Sequence, residues 1–530
     1  MPVDRDGSAG VQRTWGEAVR AFLHPRVLAM LFLGFSAGLP LFLIFGTLSV
    51  WLREAGIERS TVTFFSWAAL GYSFKYVWAP LVDRLPIPWL TDRLGRRRSW
   101  LLSSQAAVSV AMLWMAASNP QKSLTIIGLA AVLLGFSSAT QDIVIDAYRI
   151  EAVAKELQAM MSSAYVAGYR AGMLLGGAGA LWLASYFGRG DGYDYRGWAL
   201  AYACMALSMT VGMITTLVIR EPEPRSKPPG TTLRATSDYF RFLALFVVAA
   251  SIFVLGFVLT AKTAAEAKQV LTEGGALIPE VAGFAVETGR LAFSILLAVL
   301  AGTMMVRALA VPATMVRETY VAPFTDFVRR FGRAGFLLLL LIGTYRLSDI
   351  VLGAVSNVFY IDMGFTKEQI AAISKTFGLF MTLAGGFLGG VLAVRFGLIR
   401  TLFLGAFLSA ATNVLFAYLA TVGHDPTLLI WVIVADNLAG GLATATFVAY
   451  LSSLTSVSFT ATQYALFSSI MTLGPKLLAG YSGMAVNAIG YQSFFVGTAI
   501  LGIPVLVLVV IAGRIVPIDV QEEVAAADDG

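Results

Sequence analysis

Two stretches of this chain decide its fold: residues 51–66 read WLREAGIERSTVTFFS, and residues 358–374 read VFYIDMGFTKEQIAAIS. Each stretch leaves one apolar run, turns at a glycine and enters the next apolar run. When the two are superimposed, Gly56 falls on Gly364 and Ser66 falls on Ser374. Similarity at a long, constant offset is a sign of internal duplication, so the chain is predicted to contain two copies of one structural unit.

Two further matches lie at nearly the same offset. Tyr148 pairs with Tyr450, and Gly168-Tyr169-Arg170 pairs with Gly474-Pro475-Lys476. Chance similarity between apolar helices can explain any one of these matches. Three matches in the same order favour two parallel six-helix halves, which is the plan of the major facilitator superfamily.

The composition is that of a membrane protein. Hydrophobic residues make up 57% of the 530 residues and charged residues 13%, whereas a soluble domain has roughly 25% charged residues. Apolar runs of about 20 residues, each able to cross a hydrocarbon core of roughly 30 Å, recur about fourteen times. The predicted spans are 27–51, 61–82, 99–117, 124–148, 160–186, 198–219, 240–261, 288–310, 334–361, 369–394, 398–420, 427–452, 462–487 and 492–514.

The formal charge of +6 does not indicate nucleic-acid binding, because the basic residues lie in short loops between apolar runs. Three loops on one side are rich in arginine, around residues 84–98, 220–241 and 317–333, while the loops on the other side are balanced. This asymmetry follows the positive-inside rule and predicts that both termini are cytoplasmic. The lone cysteine, Cys204, excludes an intrachain disulfide.

A Pro- and Ser-rich stretch, EPEPRSKPPGTTLRATS at residues 221–237, predicts a flexible linker after the first six helices. Two additional hydrophobic runs follow it, so the sequence predicts an insertion between the halves. The predicted organisation is a cytoplasmic tail (1–26), the N-terminal half (27–220), the linker with two additional helices (221–333), the C-terminal half (334–514) and a cytoplasmic tail (515–530). The fold class is thus an all-α polytopic membrane protein.

Ionisable residues inside the predicted spans are the main functional candidates, since each costs a few kcal/mol in a membrane and must face the bundle interior or an interface. Asp142, Asp146 and Arg149 share one helical face, because they are spaced by four and three residues. This stripe is either a proton or substrate relay or a structural salt bridge. The salt bridge is favoured for Asp146 and Arg149, and the relay for the deeper Asp142.

The loop that contains Asp83-Arg84 and Leu94-Gly95-Arg96-Arg97-Arg98 is open to two interpretations. It resembles an expanded form of the loop motif in which major facilitators latch helix ends on the cytoplasmic side. Positive-inside anchoring would explain the arginines equally well. Neither a nucleotide-binding loop nor a histidine cluster is found in the sequence, which argues against an ATP-driven pump, a metal site or a resident cofactor.

Eight motifs, in order and in both halves, resemble one family. They are GFSAGLP from Gly34, FKYVWAPLVDR from Phe74, SSATQDIVIDAY from Ser137, GYRAGML from Gly168, YRLSD from Tyr345, SKTFGL from Ser374, DNLAGGLATATFVAYL from Asp436 and FTATQYALFSS from Phe459. Together they resemble the AmpG muropeptide permeases, near the acetyl-CoA transporters. Asp436 stands where the family pattern suggests Glu, and Lys476 where Arg is equally familiar.

The resemblance implies proton-coupled import of GlcNAc-1,6-anhydro-MurNAc and its peptide-bearing forms, hence a role in peptidoglycan recycling in a Gram-negative inner membrane and, indirectly, in β-lactamase induction. We expect a monomer that is not an enzyme, with an acetyl-CoA or peptide carrier as the alternative within transport and a non-transporting sensor as the alternative outside it. Sugar hydroxyls, acetamido groups and carboxylates call for amides and both charge signs in one cavity. Candidate substrate-binding residues are Lys75, Gln141, Arg170, Lys375, Asn437, Gln463 and Lys476; proton-coupling candidates are Asp142, Asp349 and Asp436; gating candidates are Asp83, Arg84, Arg96, Asp146 and Arg149.

Overall fold

The computed structural model describes residues 23–44, 46–57, 72, 74–153, 157–189, 193–222, 236–273, 279–308, 312–366, 369–479 and 482–515. Within these ranges the chain is helical and contains no β-strand. The side chains of Lys375 and Lys476 lie outside the described part of the structure.

In the described residues of the first half there are ten α-helices. They are α1 (Pro25–Ile44), α2 (Gly46–Glu54), α3 (Ala79–Arg84), α4 (Leu90–Leu94), α5 (Arg96–Ala116), α6 (Leu124–Ala152), α7 (Gln158–Leu174), α8 (Ala180–Phe187), α9 (Tyr195–Ser208) and α10 (Thr210–Val218). A π-helical segment, Leu175–Gly179, joins α7 to α8.

The described part of the C-terminal half contains seven α-helices. Its helices are α16 (Ala334–Thr344), α17 (Leu347–Asp362), α18 (Gly378–Phe396), α19 (Leu398–Val422), α20 (Pro426–Leu454), α21 (Thr460–Ala479) and α22 (Ser482–Ile515). In the sequence between the two halves come α11 (Thr236–Leu259), α12 (Ala261–Glu273), α13 (Pro279–Arg307), α14 (Ala313–Val316) and α15 (Ala322–Phe331). A π-helical segment, Ile370–Phe377, precedes α18. The backbone of α22 is interrupted at Gly490, where φ is +74°.

The chain divides into two compact units. One comprises Met1–Ser226 together with Phe327–Gly530, and the other is Lys227–Asp326. Both six-helix halves therefore belong to one unit. Inside the second unit α11 packs against α13, and the Arg290 guanidinium donates to the Phe257 carbonyl oxygen. The domain boundaries proposed from the sequence remain a prediction.

Ten helices in the described part of the chain are long and apolar enough to cross a membrane. Of the other four predicted spans, 61–82 lies largely outside the described residues and 160–186 is α7 continued through its π-helical segment into α8. Span 288–310 contributes a shorter apolar segment, Ala292–Arg307, and span 462–487 falls on α21 and the start of α22. A total of fourteen crossings stays a prediction.

Glycines allow the closest helix contacts of each half. A Cβ on Gly168 of α7 would lie 1.8 Å from the Leu31 carbonyl oxygen of α1, so the two backbones touch. In the second half, a Cβ on Gly441 of α20 would lie 2.1 Å from the Thr382 carbonyl oxygen of α18. Small residues at such crossings replace side-chain burial by backbone packing, which is the usual solution in membranes.

The two halves meet along two lines. In one, α7 packs against α18 and α20; in the other, α21 packs against α3 and α6. We call the end of the bundle where α1 begins and α22 ends the terminal end, and the opposite end the distal end. Helices α5, α7, α16 and α21 also begin at the terminal end, so the loops that precede these helices lie at the same end of the bundle.

Candidate functional site

Arg97 is the centre of a buried network at the terminal end. Its side chain is 1% exposed and its Nε donates to Glu151 Oε2 at 2.9 Å, while Nη2 donates to Asp83 Oδ1 at 2.9 Å. Nη2 also donates to the Thr460 hydroxyl of the other half at 2.7 Å. One guanidinium thus bridges two carboxylates and links the halves, an arrangement suited to the planar fork of arginine.

Asp83 completes the connection to the second half. Its Oδ2 accepts from the Thr462 backbone N–H at 2.8 Å and from the Thr462 hydroxyl at 2.7 Å, and its Oδ1 accepts from the Ala461 N–H at 3.2 Å. These N–H groups belong to the first turn of α21, which lacks intrahelical acceptors and favours a negative charge. We call Asp83, Arg97, Glu151, Thr460 and Thr462 the latch.

The start of α5 is held in place by Glu221. Its carboxylate accepts from the Arg97 backbone N–H at 2.7 Å and from the Arg98 backbone N–H at 3.0 Å, as a helix-capping acid does. Burial raises the pKa of Glu221, which lies beyond the end of α10. Because α5 begins after Gly95 with φ at +87°, this cap fixes which of the three consecutive arginines turns inward.

A second cross-half contact lies on α6. Asp146 is paired with Arg149 at 3.2 Å and with Lys75 Nζ at 3.5 Å. The Arg149 guanidinium is fully buried and donates to the Ser452 hydroxyl of α20 at 2.6 Å. It also lies over the Tyr464 ring of α21, 4.9 Å from the centroid. Arg149 therefore makes this contact between the halves, with Asp146 paired to it on α6, and the gating role of the two residues stays a prediction.

The predicted gating residues divide into two groups. Asp83 and Arg149 hydrogen-bond to the other half, with Asp146 paired to Arg149, and Arg84 lies over the Phe459 ring of that half, 5.6 Å from the centroid. Arg96 instead donates to the Asp83 backbone carbonyl oxygen within its own half at 2.6 Å. Arg97, which is not among the predicted gating residues, makes the contacts with the carboxylates of Asp83 and Glu151.

Gln141 and Asp142 lie deeper in the same helix. The Gln141 amide nitrogen donates to the Ser36 hydroxyl of α1 at 3.1 Å. Its carbonyl oxygen and Oδ1 of Asp142 are buried, and neither has a hydrogen-bond partner within the part of the chain that the structure describes. Asp142 is 6% exposed. A buried acceptor without a donor is costly, so these two atoms mark a place where a proton or a ligand donor can bind.

The second half brings together a different set. Arg346, in the turn before α17, is ion-paired with Asp349 in the first turn of that helix and donates to the Thr444 hydroxyl of α20 at 2.7 Å. Asp436 accepts from the Thr412 hydroxyl at 3.4 Å. Asn437 accepts from the Thr382 hydroxyl at 2.8 Å and donates to the Ile433 carbonyl oxygen at 3.0 Å. Asn437 is thus used in packing α20 against α18.

Arg170 faces this set from the first half. It lies on α7, the helix that packs against α18 and α20, and its charge interacts with those of Arg346 and Asp349. No hydrogen bond or ion pair joins Arg170 to another of the described residues. Arg170 and Arg346 thus bring two guanidinium groups, one from each half, to the same region of the bundle.

Gln463 lies elsewhere. Its Oε1 accepts from Arg330 at 2.8 Å and from the Ser456 backbone N–H at 2.8 Å, next to the start of α21. The structure therefore separates Gln463 from Gln141, Arg170 and Asn437. Lys375 and Lys476 cannot be placed, because their side chains lie outside the described residues.

Several functional residues escaped the sequence analysis. Arg97 was hidden among three consecutive arginines, and Ser452, Thr460, Thr462 and Tyr464 carry no charge. Glu151 could have been found from the sequence, because it is an acid two residues after Arg149, at a helix end that otherwise faces a basic loop. Among the described residues, no group of histidine, cysteine or acidic side chains could hold a metal ion.

Comparisons with known proteins agree with this architecture. The sequence model of the Major Facilitator Superfamily matches residues 30–361. The chain is 30% identical over 495 residues to the anhydromuropeptide permease of Escherichia coli K12, covering 93% of this chain and 81% of that protein. The chain belongs to the AmpG family of the major facilitator superfamily. The family predicted from the sequence motifs is confirmed.

Other AmpG-family and superfamily members give the same result. Putative transporter AmpG 4 of Rickettsia conorii is 31% identical over 490 residues, covering 92% of this chain and 96% of that protein. The crystal structure of the major facilitator FucP in the outward conformation has a TM-score of 0.58 at 10% identity, covering 92% of this chain and 99% of that one. The structural likeness confirms the all-α, multi-pass membrane fold, and the relatives are named as transporters.

Proposed function

We propose that this protein imports anhydro-muropeptides, GlcNAc-1,6-anhydro-MurNAc and its peptide-bearing forms, together with protons, for peptidoglycan recycling. The observation that carries the proposal is the 30% identity, over 93% of this chain, to a protein named anhydromuropeptide permease. The protein acts as a transporter and not as an enzyme, as a monomer in the bacterial inner membrane with both termini in the cytoplasm. Because the latch joins the halves at the terminal end, alternating access requires it to open and close.

The distribution of charge supports a ligand with mixed polarity. Asp146 is paired with Lys75 and Arg149, and Asp349 is paired with Arg346, while Asp142 and Asp436 add two acids and Arg170 adds one base. An acetyl-CoA carrier would need an excess of basic groups to bind several phosphates. The described interior has no such excess, so a sugar ligand bearing amides and a few carboxylates is favoured over a polyphosphate.

The test is uptake of labelled anhydro-muropeptide into right-side-out vesicles, with and without an imposed pH gradient. We expect accumulation that needs the gradient and is abolished by an uncoupler. Vesicles lacking the protein are the control, and labelled acetyl-CoA tests the alternative substrate. Absence of gradient-dependent accumulation in vesicles that contain folded protein would reject the proposed function.

A further inference from the structure

The three candidate proton-binding carboxylates, Asp142, Asp349 and Asp436, differ in their hydrogen-bond and ion-pair partners. Asp349 is ion-paired with Arg346 and is 23% exposed, so its charge is compensated. Asp436 accepts a hydrogen bond from Thr412. Asp142 differs from both, because its buried Oδ1 accepts no hydrogen bond within the described residues and its side chain forms no ion pair there.

The cation that interacts with Asp142, Lys75, is already paired with another acid. Lys75 interacts with Asp142 but lies 3.5 Å from Asp146, one helical turn away. Asp146 in turn holds Arg149, which reaches the other half through Ser452 and Tyr464. Lys75 is therefore shared between an acid that supports the contact between halves and an acid that does not.

The other ionisable groups around Asp142 do not replace Lys75. Those that interact with it are Tyr72 from the segment before α3, Tyr165 and Tyr169 from α7, Tyr464 from α21 and Asp146 on its own helix. The phenols are neutral donors at physiological pH, and Asp146 repels a second negative charge. A charged Asp142 in this conformation is thus a buried carboxylate whose compensation requires Lys75 to leave Asp146.

We propose that Asp142 is the group that binds and releases the transported proton, and that Lys75 links its charge to closure of the terminal end. With the proton on Asp142, Lys75 stays on Asp146 and the Asp146, Arg149 and Ser452 contact holds the halves together. When the proton leaves to water, Lys75 is drawn toward Asp142 and that contact is weakened. The closed terminal end and the bound proton therefore stabilise each other, as linkage requires.

The direction of transport in this scheme rests on the proposed function, but the linkage itself does not. If the distal end faces the periplasm, the proton is taken up while the terminal end is closed and is released to the cytoplasm when it opens. Opening of the terminal end can be measured without any muropeptide, so a wrong substrate and a wrong proton site give different results.

The experiment measures the distance between spin labels at the terminal end of the full-length protein. The labels are placed by Asp92→Cys and Arg400→Cys, two exposed positions in opposite halves, with Cys204→Ser to remove the native thiol. Reconstituted protein with native Asp142 is measured at about pH 5 and at about pH 8, so that a group that titrates between these two values changes its charge. We expect the long-distance population to rise several-fold at the higher pH.

Two variants decide the assignment. Asp142→Asn should keep the terminal end closed at both pH values, whereas the matched variant Asp436→Asn, which changes a half-buried acid on the long helix of its half, should respond like the protein with native Asp142. A pH response that survives Asp142→Asn, or one that is lost instead in Asp436→Asn, overturns the proposal. If Asp142→Asn does not fold, Lys75→Gln serves: without the shared ammonium the charge on Asp142 has no link to Asp146, so the pH response should be lost, and a response equal to that of the protein with native Lys75 overturns the proposal.

Discussion

Arg97 shows what a single residue contributes and why the sequence did not single it out. Arg96, Arg97 and Arg98 start the same helix, and successive residues of a helix point about 100° apart, so only one of them can face the acids of the bundle. Arg98 instead donates to the Thr216 and Leu217 carbonyl oxygens. The sequence predicted a latch or an anchor; which arginine is buried depends on the Glu221 cap from a distant part of the chain.

Replacing Arg97 with glutamine should destabilise the state that is closed at the terminal end. The change leaves Asp83 and Glu151 without their shared cation, and breaking a buried ion pair costs about 3–5 kcal/mol. The prediction is checked by measuring the distance between spin labels at Asp92→Cys and Arg400→Cys in the Cys204→Ser protein. The long-distance population should dominate at every pH.

The matched control is Arg93→Gln, since Arg93 is exposed and contacts the Trp89 ring at 4.2 Å rather than an acid. Arg97→Lys should be intermediate, because one ammonium cannot replace both parallel hydrogen bonds of the guanidinium. Equal closure in Arg97→Gln and Arg93→Gln would show that the latch does not hold the halves together.

Arg170 gives a second prediction at this scale. We expect Arg170→Gln to weaken binding of muropeptides with free carboxylates by about tenfold or more, because a charge-assisted hydrogen bond contributes about 1.5–3 kcal/mol. The measurement is competition by the disaccharide acid and by its neutral amide in reconstituted vesicles, with Arg53→Gln at the distal end as the control. An unchanged preference for the acid would remove Arg170 from the substrate site.

At the scale of helices, backbone contact at glycines holds each half together. Clusters of glycine such as Gly385-Gly386 stand in the sequence and are typical of close helix packing, but the sequence does not show that α1 pairs with α7 or α18 with α20. Adjacent glycines even differ in role: a Cβ on Gly441 would meet the Thr382 carbonyl oxygen at 2.1 Å, whereas a Cβ on Gly440 would meet nothing within 4 Å. The period of the helix decides which of the two faces α18.

This difference provides a matched pair of substitutions. Gly441→Ala should destabilise the protein by about 1–3 kcal/mol, the usual cost of forcing extra atoms into a packed contact, and should lower its melting temperature in detergent. Gly440→Ala adds the same methyl group to open space and should leave the melting temperature unchanged or slightly higher. Equal effects of the two substitutions would mean that α18 and α20 are not in backbone contact.

At the scale of the whole molecule, the sequence predicted the class of fold and the duplication because hydrophobic length and repeat offset are properties of the chain itself. It also singled out Asp146 and Arg149, whose charges follow an apolar run, and Asp83 in the arginine-rich loop; their gating role stays a prediction. It could not locate Thr460, Thr462 and Ser452, because neutral hydroxyls are common in membrane helices and acquire a role only when the halves meet. Gln463 was assigned to the substrate site by its residue type, whereas the structure places it beside Arg330.

The inserted unit gives a prediction about topology. Removing Lys227–Asp326, so that Ser226 is followed by Phe327, leaves the unit that contains both halves and the latch. If α11 and α13 both cross the membrane, as the fourteen-span prediction requires, the deletion removes an even number of crossings and the second half keeps its orientation. A green fluorescent protein fused at the C-terminus, which fluoresces only in the cytoplasm, should then stay fluorescent.

The control for this experiment removes one helix. Deleting α11 alone takes away a strongly apolar span, Ser237–Leu259, and leaves the apolar segment of α13 to cross by itself. That change reverses the orientation of everything after it, so fluorescence should be lost and a C-terminal alkaline phosphatase, active only outside the cytoplasm, should become active. Loss of fluorescence in the deletion of Lys227–Asp326 would instead show that the inserted unit contributes an odd number of crossings, and the predicted fourteen spans and the cytoplasmic position of both termini could not both be right.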